Sequence, residues 1–112
     1  MVELDAFKSE LNTYTEPLKE VRDSLDLENK EKRVEELERE MEAPGFWDNA
    51  ERSQKMMKEL SALKGDMEIY HKLKNQKEEI ELMIEMGYEE NDESVIPDIE
   101  EMMEEFKTDF DH

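Results

Sequence analysis

Residues 49–86 read NAERSQKMMKELSALKGDMEIYHKLKNQKEEIELMIEM, and this stretch decides the fold. Met56, Leu60, Leu63, Met67, Tyr70, Leu73, Ile80 and Ile84 recur at steps that keep them on one face of an α-helix. Lys77 is the one charged interruption, and its long stem can cover the seam while the ammonium reaches water. Gly65 costs ~1 kcal/mol relative to Ala but does not end a helix. At 1.5 Å per residue such a helix is roughly 55 Å long. That is longer than a compact domain of this size is wide. The expectation is an all-α fold: an elongated antiparallel helical bundle with one long helix and coiled-coil-like packing.

Downstream, Gly87-Tyr88-Glu89-Glu90-Asn91-Asp92-Glu93 is a polar connector, and Gly87 suits the left-handed position that follows a helix. Ser94 can cap a last helix with Pro97 in its first turn, and Ile96, Ile99, Met103, Phe106 and Phe110 give it an apolar stripe. Upstream, Ala43-Pro44-Gly45-Phe46-Trp47-Asp48-Asn49 is the clearest break in the chain. Pro-Gly ends a helix, and Asp48 or Asn49 can cap the next. Before it, Leu27, Val34, Leu37 and Met41 form a narrower stripe, with Asp26 as its N-cap candidate. Leu4, Phe7, Leu11, Tyr14, Leu18, Val21 and Leu25 form the first stripe, interrupted by Pro17. The stripe continues in phase past Pro17, which predicts a kinked helix. The alternative is a second helix capped by Thr15 with Pro17 in its first turn. Four helices are expected, over 3–25, 27–42, 49–86 and 94–110. Their core is expected to hold Leu11, Leu18, Leu37, Leu60, Leu63, Tyr70, Ile84, Ile99 and Phe106.

The chain has 112 residues, one small domain's worth, with 34 acidic and 15 basic side chains and a formal charge of −19. No Cys is present, which removes disulfides, thiolate metal sites and a cysteine nucleophile. No apolar run approaches the ~18 residues of a membrane span. The first residues, Met1-Val2-Glu3-Leu4-Asp5, are unlike a signal or transit peptide. DNA and RNA phosphates are mostly repelled by such a surface, so a basic or apolar partner is favoured over nucleic acid.

Charge is unevenly placed. Residues 52–77 carry seven basic and three acidic side chains, a local +4, and residues 89–112 carry eleven acids and one Lys, a local −10. A hairpin about Gly87 would bring Glu100, Glu101, Glu104 and Glu105 near Lys72, Lys74 and Lys77. A solvated acidic face accounts for the same pattern.

Nothing in the sequence assembles a catalytic constellation. The carboxylates spread over helix faces, His71 sits mid-helix among lysines, His112 is terminal, and the three glycines are isolated. The connector at 89–93 lacks the alternating oxygen ligands and central Gly of a calcium loop. The expectation is a non-enzymatic chain with no cofactor and no metal. Nine Met can fill a core or line an adaptable groove. The candidate partner-binding residues are Phe46 and Trp47, which either plug one end of the bundle or form an exposed docking spot.

The string from Leu25-Asp26-Leu27, through Glu38-Arg39-Glu40-Met41-Glu42, to Ala43-Pro44-Gly45-Phe46-Trp47-Asp48-Asn49-Ala50-Glu51-Arg52-Ser53-Gln54 resembles the N-terminal helical domain of the bacterial peptide chain release factor 2 family, within the class I release factors. The Pro-x-Phe-Trp-Asp element looks unlike the paralogous release factor 1 family, and the resemblance runs over essentially the whole chain. It implies a cytoplasmic translation termination factor that, full-length, reads UGA and UAA and promotes peptidyl-tRNA hydrolysis. It reads the codon with a Ser-Pro-Phe loop and promotes hydrolysis with a Gly-Gly-Gln loop. Neither tripeptide occurs in these 112 residues. The resemblance thus implies a single helical domain, 1–112, of a longer factor whose codon-reading and catalytic domains lie elsewhere. It further implies a place near the large-subunit stalk base, with a class II release-factor GTPase as a neighbour; the charge of −19 then predicts docking chiefly on a basic ribosomal protein, with little direct RNA contact. Periodicity and charge also fit a free-standing acidic helical adaptor or a chaperone-like coiled coil. The aromatic string weighs against that alternative.

Overall fold

A computed structural model describes residues 1–112. It contains α1 (Val2–Asn12), α2 (Thr15–Ser24), α3 (Leu27–Met41), a 3-10 turn (Phe46–Asp48), α4 (Ala50–Glu90) and α5 (Val95–Phe110), with no strand. The chain forms two compact units. The first joins Met1–Glu20 to His71–His112, and the second is Val21–Tyr70. The 41 residues of α4 run through both.

The stripe predicted over 3–25 is two helices, not one kinked helix. Pro17 has no N–H to donate to the Thr13 carbonyl four residues earlier, and here the chain interrupts the helix at residues 13–14 rather than bending through it. Instead Thr13 and Tyr14 donate their amides to Glu10 and Leu11 at 3.0 and 3.1 Å, closing α1. Helix α2 restarts at Thr15 with Pro17 in its first turn.

Gly87 also differs from expectation. Helix α4 continues through it to Glu90, and the left-handed residue is Asn91, with φ 49°. The Asp92 amide reaches back to the Gly87 carbonyl at 3.1 Å and the Asn91 amide to Tyr88 at 3.4 Å, the double bond of a Schellman ending. What Gly87 supplies is space. A Cβ there would stand 2.8 Å from Leu4 Cδ1 and 2.9 Å from Val95 Cγ2. Ser94 does not cap α5 with its side chain; its amide and hydroxyl both donate to Asp92 Oδ1, at 2.9 and 2.6 Å. Asp26 likewise makes no cap bond to a backbone amide. It sits left-handed at φ 51° between α2 and α3, and its carboxylate accepts from Asn29 Nδ2.

In the first unit, the buried side chains are Leu4, Leu11, Leu18, Leu73, Ile80, Ile84, Ile99, Met103 and Phe106. Phe106 meets Tyr14 edge to face at 5.1 Å, and Phe110 meets the same ring at 5.1 Å. Leu4 lies by Val95, and Glu10 accepts from Lys107 at 2.8 Å, so α1 and α5 run parallel to each other. Both run against the second half of α4: Asp5 accepts from the Tyr88 hydroxyl, and Asp109 accepts from Gln76 at 2.7 Å. The hydrogen bond to Asp5 and partial burial push the Tyr88 phenol up to about 12. Gln76 holds the Asp109 carboxyl below the usual range, with help from Lys72 at 3.5 Å.

The charge pairing expected across this hairpin is largely not made. Lys74 and Lys77 bond within α4, to Glu78 and Glu81, and Lys72 meets Asp109 in place of the four glutamates named. The turn falls at 91–94, four residues beyond Gly87, which shifts the register of α5 along α4. Lys77 does cover the seam with its stem, its side chain being only 13% exposed.

In the second unit, Val34, Leu37, Phe46, Met56 and Leu60 form the core, flanked by Met41, Leu63 and Met67. Lys30 bridges to Asp66 at 2.9 Å and Arg33 to Glu59 at 2.7 Å, so α3 and the first half of α4 are antiparallel. Of the nine residues expected in the core, seven are buried; Leu63 and Tyr70 are only half-buried. Leu63 lies at the margin of the cluster, and Tyr70 is the last residue of its unit.

Candidate partner-binding site

The corner between α3 and α4 is built by three local devices. Helix α3 closes with the Glu42 and Ala43 amides bonded to Arg39 and Glu40, and Pro44 follows. Gly45 then takes φ 79°, a left-handed backbone for which glycine has no steric cost. The Phe46 and Asp48 amides fold the 3-10 turn onto Ala43 and Gly45 at 3.2 and 3.1 Å. Asn49 caps α4, its Oδ1 accepting from the Arg52 amide at 3.0 Å. The corner is thus held by the turn bonds of Phe46 and Asp48 and by the Asn49 cap.

This turn parts the two aromatics. Phe46 is 3% exposed and belongs to the core of the second unit, while Trp47 is 61% exposed. Their rings still touch edge to face, with centroids 4.8 Å apart and planes at 80°. The pair is therefore divided between a buried and an exposed position. Phe46 is the plug, and Trp47 is the exposed side chain. A 3-10 turn has three residues per revolution, so neighbours point in different directions. Composition alone assigns both rings to one face or the other.

From Glu40 to Glu51 the chain carries four acids, Glu40, Glu42, Asp48 and Glu51, between two exposed arginines, Arg39 and Arg52. All four are exposed. None takes part in an ion pair. Beneath the corner, Arg33 grips Glu59 with two bonds of 2.7 and 3.1 Å and Glu36 with one of 3.1 Å. The guanidinium of Arg33 keeps the Glu59 carboxyl below its ordinary range. This fork fixes α3 against α4 and so fixes the base of the corner.

No group of three or more His, Asp or Glu side chains is placed to hold a metal ion. His71 is half-buried in the middle of α4. No helix is long and apolar enough to cross a membrane.

Known proteins give the arrangement a family. The profile of the PCRF domain matches residues 30–112, which takes in α4, α5, the corner and nearly all of α3. Peptide chain release factor 2 of Staphylococcus saprophyticus is 36% identical over 110 residues, covering 98% of this chain and 30% of that protein. The same-named protein of an Exiguobacterium species is 37% identical over 110 residues, and that of Staphylococcus aureus strain COL 34% identical over 110, with the same coverages. The chain therefore spans about 30% of the length of the curated relatives it matches. No solved structure matches. With the profile covering the corner and the helices on both sides of it, this chain belongs to the PCRF domain family.

Proposed function

We propose that this chain is the ribosome-docking helical domain of a cytoplasmic translation termination factor. The observation that carries the proposal is its likeness to release factor 2 proteins along 98% of its length. In this reading the full-length factor reads UGA and UAA and promotes hydrolysis of peptidyl-tRNA, and these helices perform neither step. Their task is to hold the factor near the stalk base of the large subunit, chiefly on a basic ribosomal protein, within reach of a class II release-factor GTPase.

Charge supports a protein partner over RNA. At −19, an approach to phosphate begins against repulsion, and each phosphate contact needs a cation to offset it. The basic side chains of 52–77 are the natural source, and four of the seven, Lys64, Lys72, Lys74 and Lys77, already pair with Glu38, Asp109, Glu78 and Glu81, which leaves Arg52, Lys55 and Lys58 for such contacts. Acidic faces against a basic protein steer association more than they deepen affinity. A pull-down with this chain as bait, offered the stalk-base protein and naked ribosomal RNA fragments, tests the reading. The protein is expected to be captured, and less so as salt nears ~0.5 M, where screening falls to several ångströms. Preferential capture of the RNA refutes the partner class. On ribosomes stalled at a stop codon, the chain alone is expected to release no peptide. Release above the blank refutes the division of labour.

A further inference from the structure

We propose that the Trp47 corner docks an arginine-bearing segment of a basic protein, with the indole stacking on the guanidinium and nearby carboxylates holding its charge. The inference rests on the docking reading only for the natural partner being a protein; the chemistry of the corner is argued from the chain itself.

Large aromatics are usually placed where their area leaves water. The only Trp of this chain does the opposite, while the Phe next to it is buried. The exposure is built in. The left-handed Gly45, the two turn bonds and the Asn49 cap fix the backbone on both sides of Trp47, and the edge of contact with Phe46 limits its rotation. A side chain held this way loses little freedom on binding, which favours affinity. Trp is also among the residue types that dominate interface energies.

The charge around it selects the ligand. Residues 40–51 offer four carboxylates outside any ion pair; Arg39 and Arg52 bound the stretch, and with them counted it stays acidic, four carboxylates against two guanidinium groups. A neutral apolar partner would leave those carboxylates desolvated and unpaired, and a phosphate would be repelled by them. A cation satisfies both features, because the face of an indole attracts positive charge more strongly than any other aromatic side chain. Between the two basic residues, arginine fits better. Its guanidinium is planar and can stack on the ring while its N–H groups reach carboxylates at the edge. Lysine's ammonium is a compact, strongly hydrated point charge.

The test uses the chain as it stands and a fluorescein-labelled twelve-residue peptide of alternating arginine and alanine, read by anisotropy. Saturable binding is expected, with the lysine counterpart several-fold weaker. Because −19 attracts any cationic peptide, the deciding comparison is with Trp47→Ala, which leaves the charge unchanged. It should raise Kd about tenfold, the effect of losing one anchoring contact. Trp47→Phe should fall between the two, and Glu42→Gln with Glu51→Gln should weaken binding with Trp47 intact. Helicity melts of Trp47→Ala should match the parent, since the ring lies outside the core. Equal affinity of Trp47→Ala and parent overturns the proposal, as does failure to bind the arginine peptide. Trp47-dependent binding of a twelve-nucleotide RNA also overturns it. Peptide binding through Trp47 without capture of the stalk-base protein leaves this proposal standing and removes the docking reading. Capture without peptide binding does the reverse.

Discussion

Helix α4 contains two glycines, and the same substitution should move stability in opposite directions at the two sites. At Gly65 an added Cβ meets nothing within 4 Å. Alanine there removes the backbone entropy that glycine loses on entering a helix, a gain of about 1 kcal/mol. At Gly87 the same gain is available, but the new Cβ would stand 2.8 Å from Leu4 Cδ1 and 2.9 Å from Val95 Cγ2. Leu4 is fully buried and cannot retreat toward water, and Val95 has a short, stiff side chain. Overpacking of this kind costs ~1–3 kcal/mol. Gly87→Ala should therefore range from about neutral to a net loss of ~2 kcal/mol. For a chain of this length 1 kcal/mol is worth roughly 4 °C of melting temperature. Thermal unfolding followed by far-ultraviolet circular dichroism should show Gly65→Ala melting a few degrees higher and Gly87→Ala no higher than the parent. Val95→Ala combined with Gly87→Ala should recover part of the loss, since it removes one of the two close atoms. If Gly87→Ala stabilises as much as Gly65→Ala, then α1 and α5 do not approach α4 at that position.

Phe46→Ala should lower stability by ~3–5 kcal/mol, the range for a buried large aromatic, whereas Trp47→Ala should change it by less than about 1 kcal/mol; paired urea titrations measure both. Asn49→Ala removes the one side-chain cap at the start of α4 and should cost about 1 kcal/mol in the same assay. Asp109, bonded to Gln76, has a carboxyl pKa below its ordinary value. Its contribution is present above the unfolded pKa of ~4 and is lost as pH falls through the depressed folded value. Melting temperatures measured from pH 6 to pH 2.5 should therefore fall on the acid side, and Asp109→Asn should flatten that fall; an identical acid limb in the variant refutes the assignment.

Helix type and most helix positions were legible because apolar spacing reports them directly. Leu60, Ile84, Ile99 and Phe106 are buried as their stripes require. The failures lie where two physical demands compete for one residue. Gly87 reads as a helix terminator because glycine tolerates a left-handed backbone, yet its role is the absence of a Cβ against Leu4, a residue 83 positions earlier. Local reasoning has no access to such a partner. Asn91, which actually takes the left-handed position, was hidden among equally polar neighbours. Pro17 carried the right physics but an undecided consequence, since the continuous stripe argued for a kink while the missing N–H argued for a break. At the corner, composition alone points to the residues. Their division into a buried Phe46 and an exposed Trp47 depends on the 3-10 turn, and the sequence signals a turn there without its type.

The first unit is discontinuous, since Met1–Glu20 pairs with His71–His112. During synthesis the order of appearance then matters. Helix α1 emerges first with Leu4 and Leu11 uncovered, but Ile99, Met103 and Phe106, which share its unit, are translated some 90 residues later. At ~5–20 residues per second that is a wait of roughly 5 to 20 s. The second unit is one continuous segment, Val21–Tyr70, and can close its own core within that interval. The slow, long-range step in making the first unit is therefore the capture of α1 by α5, and the nascent chain carries a short apolar helix in need of protection until then.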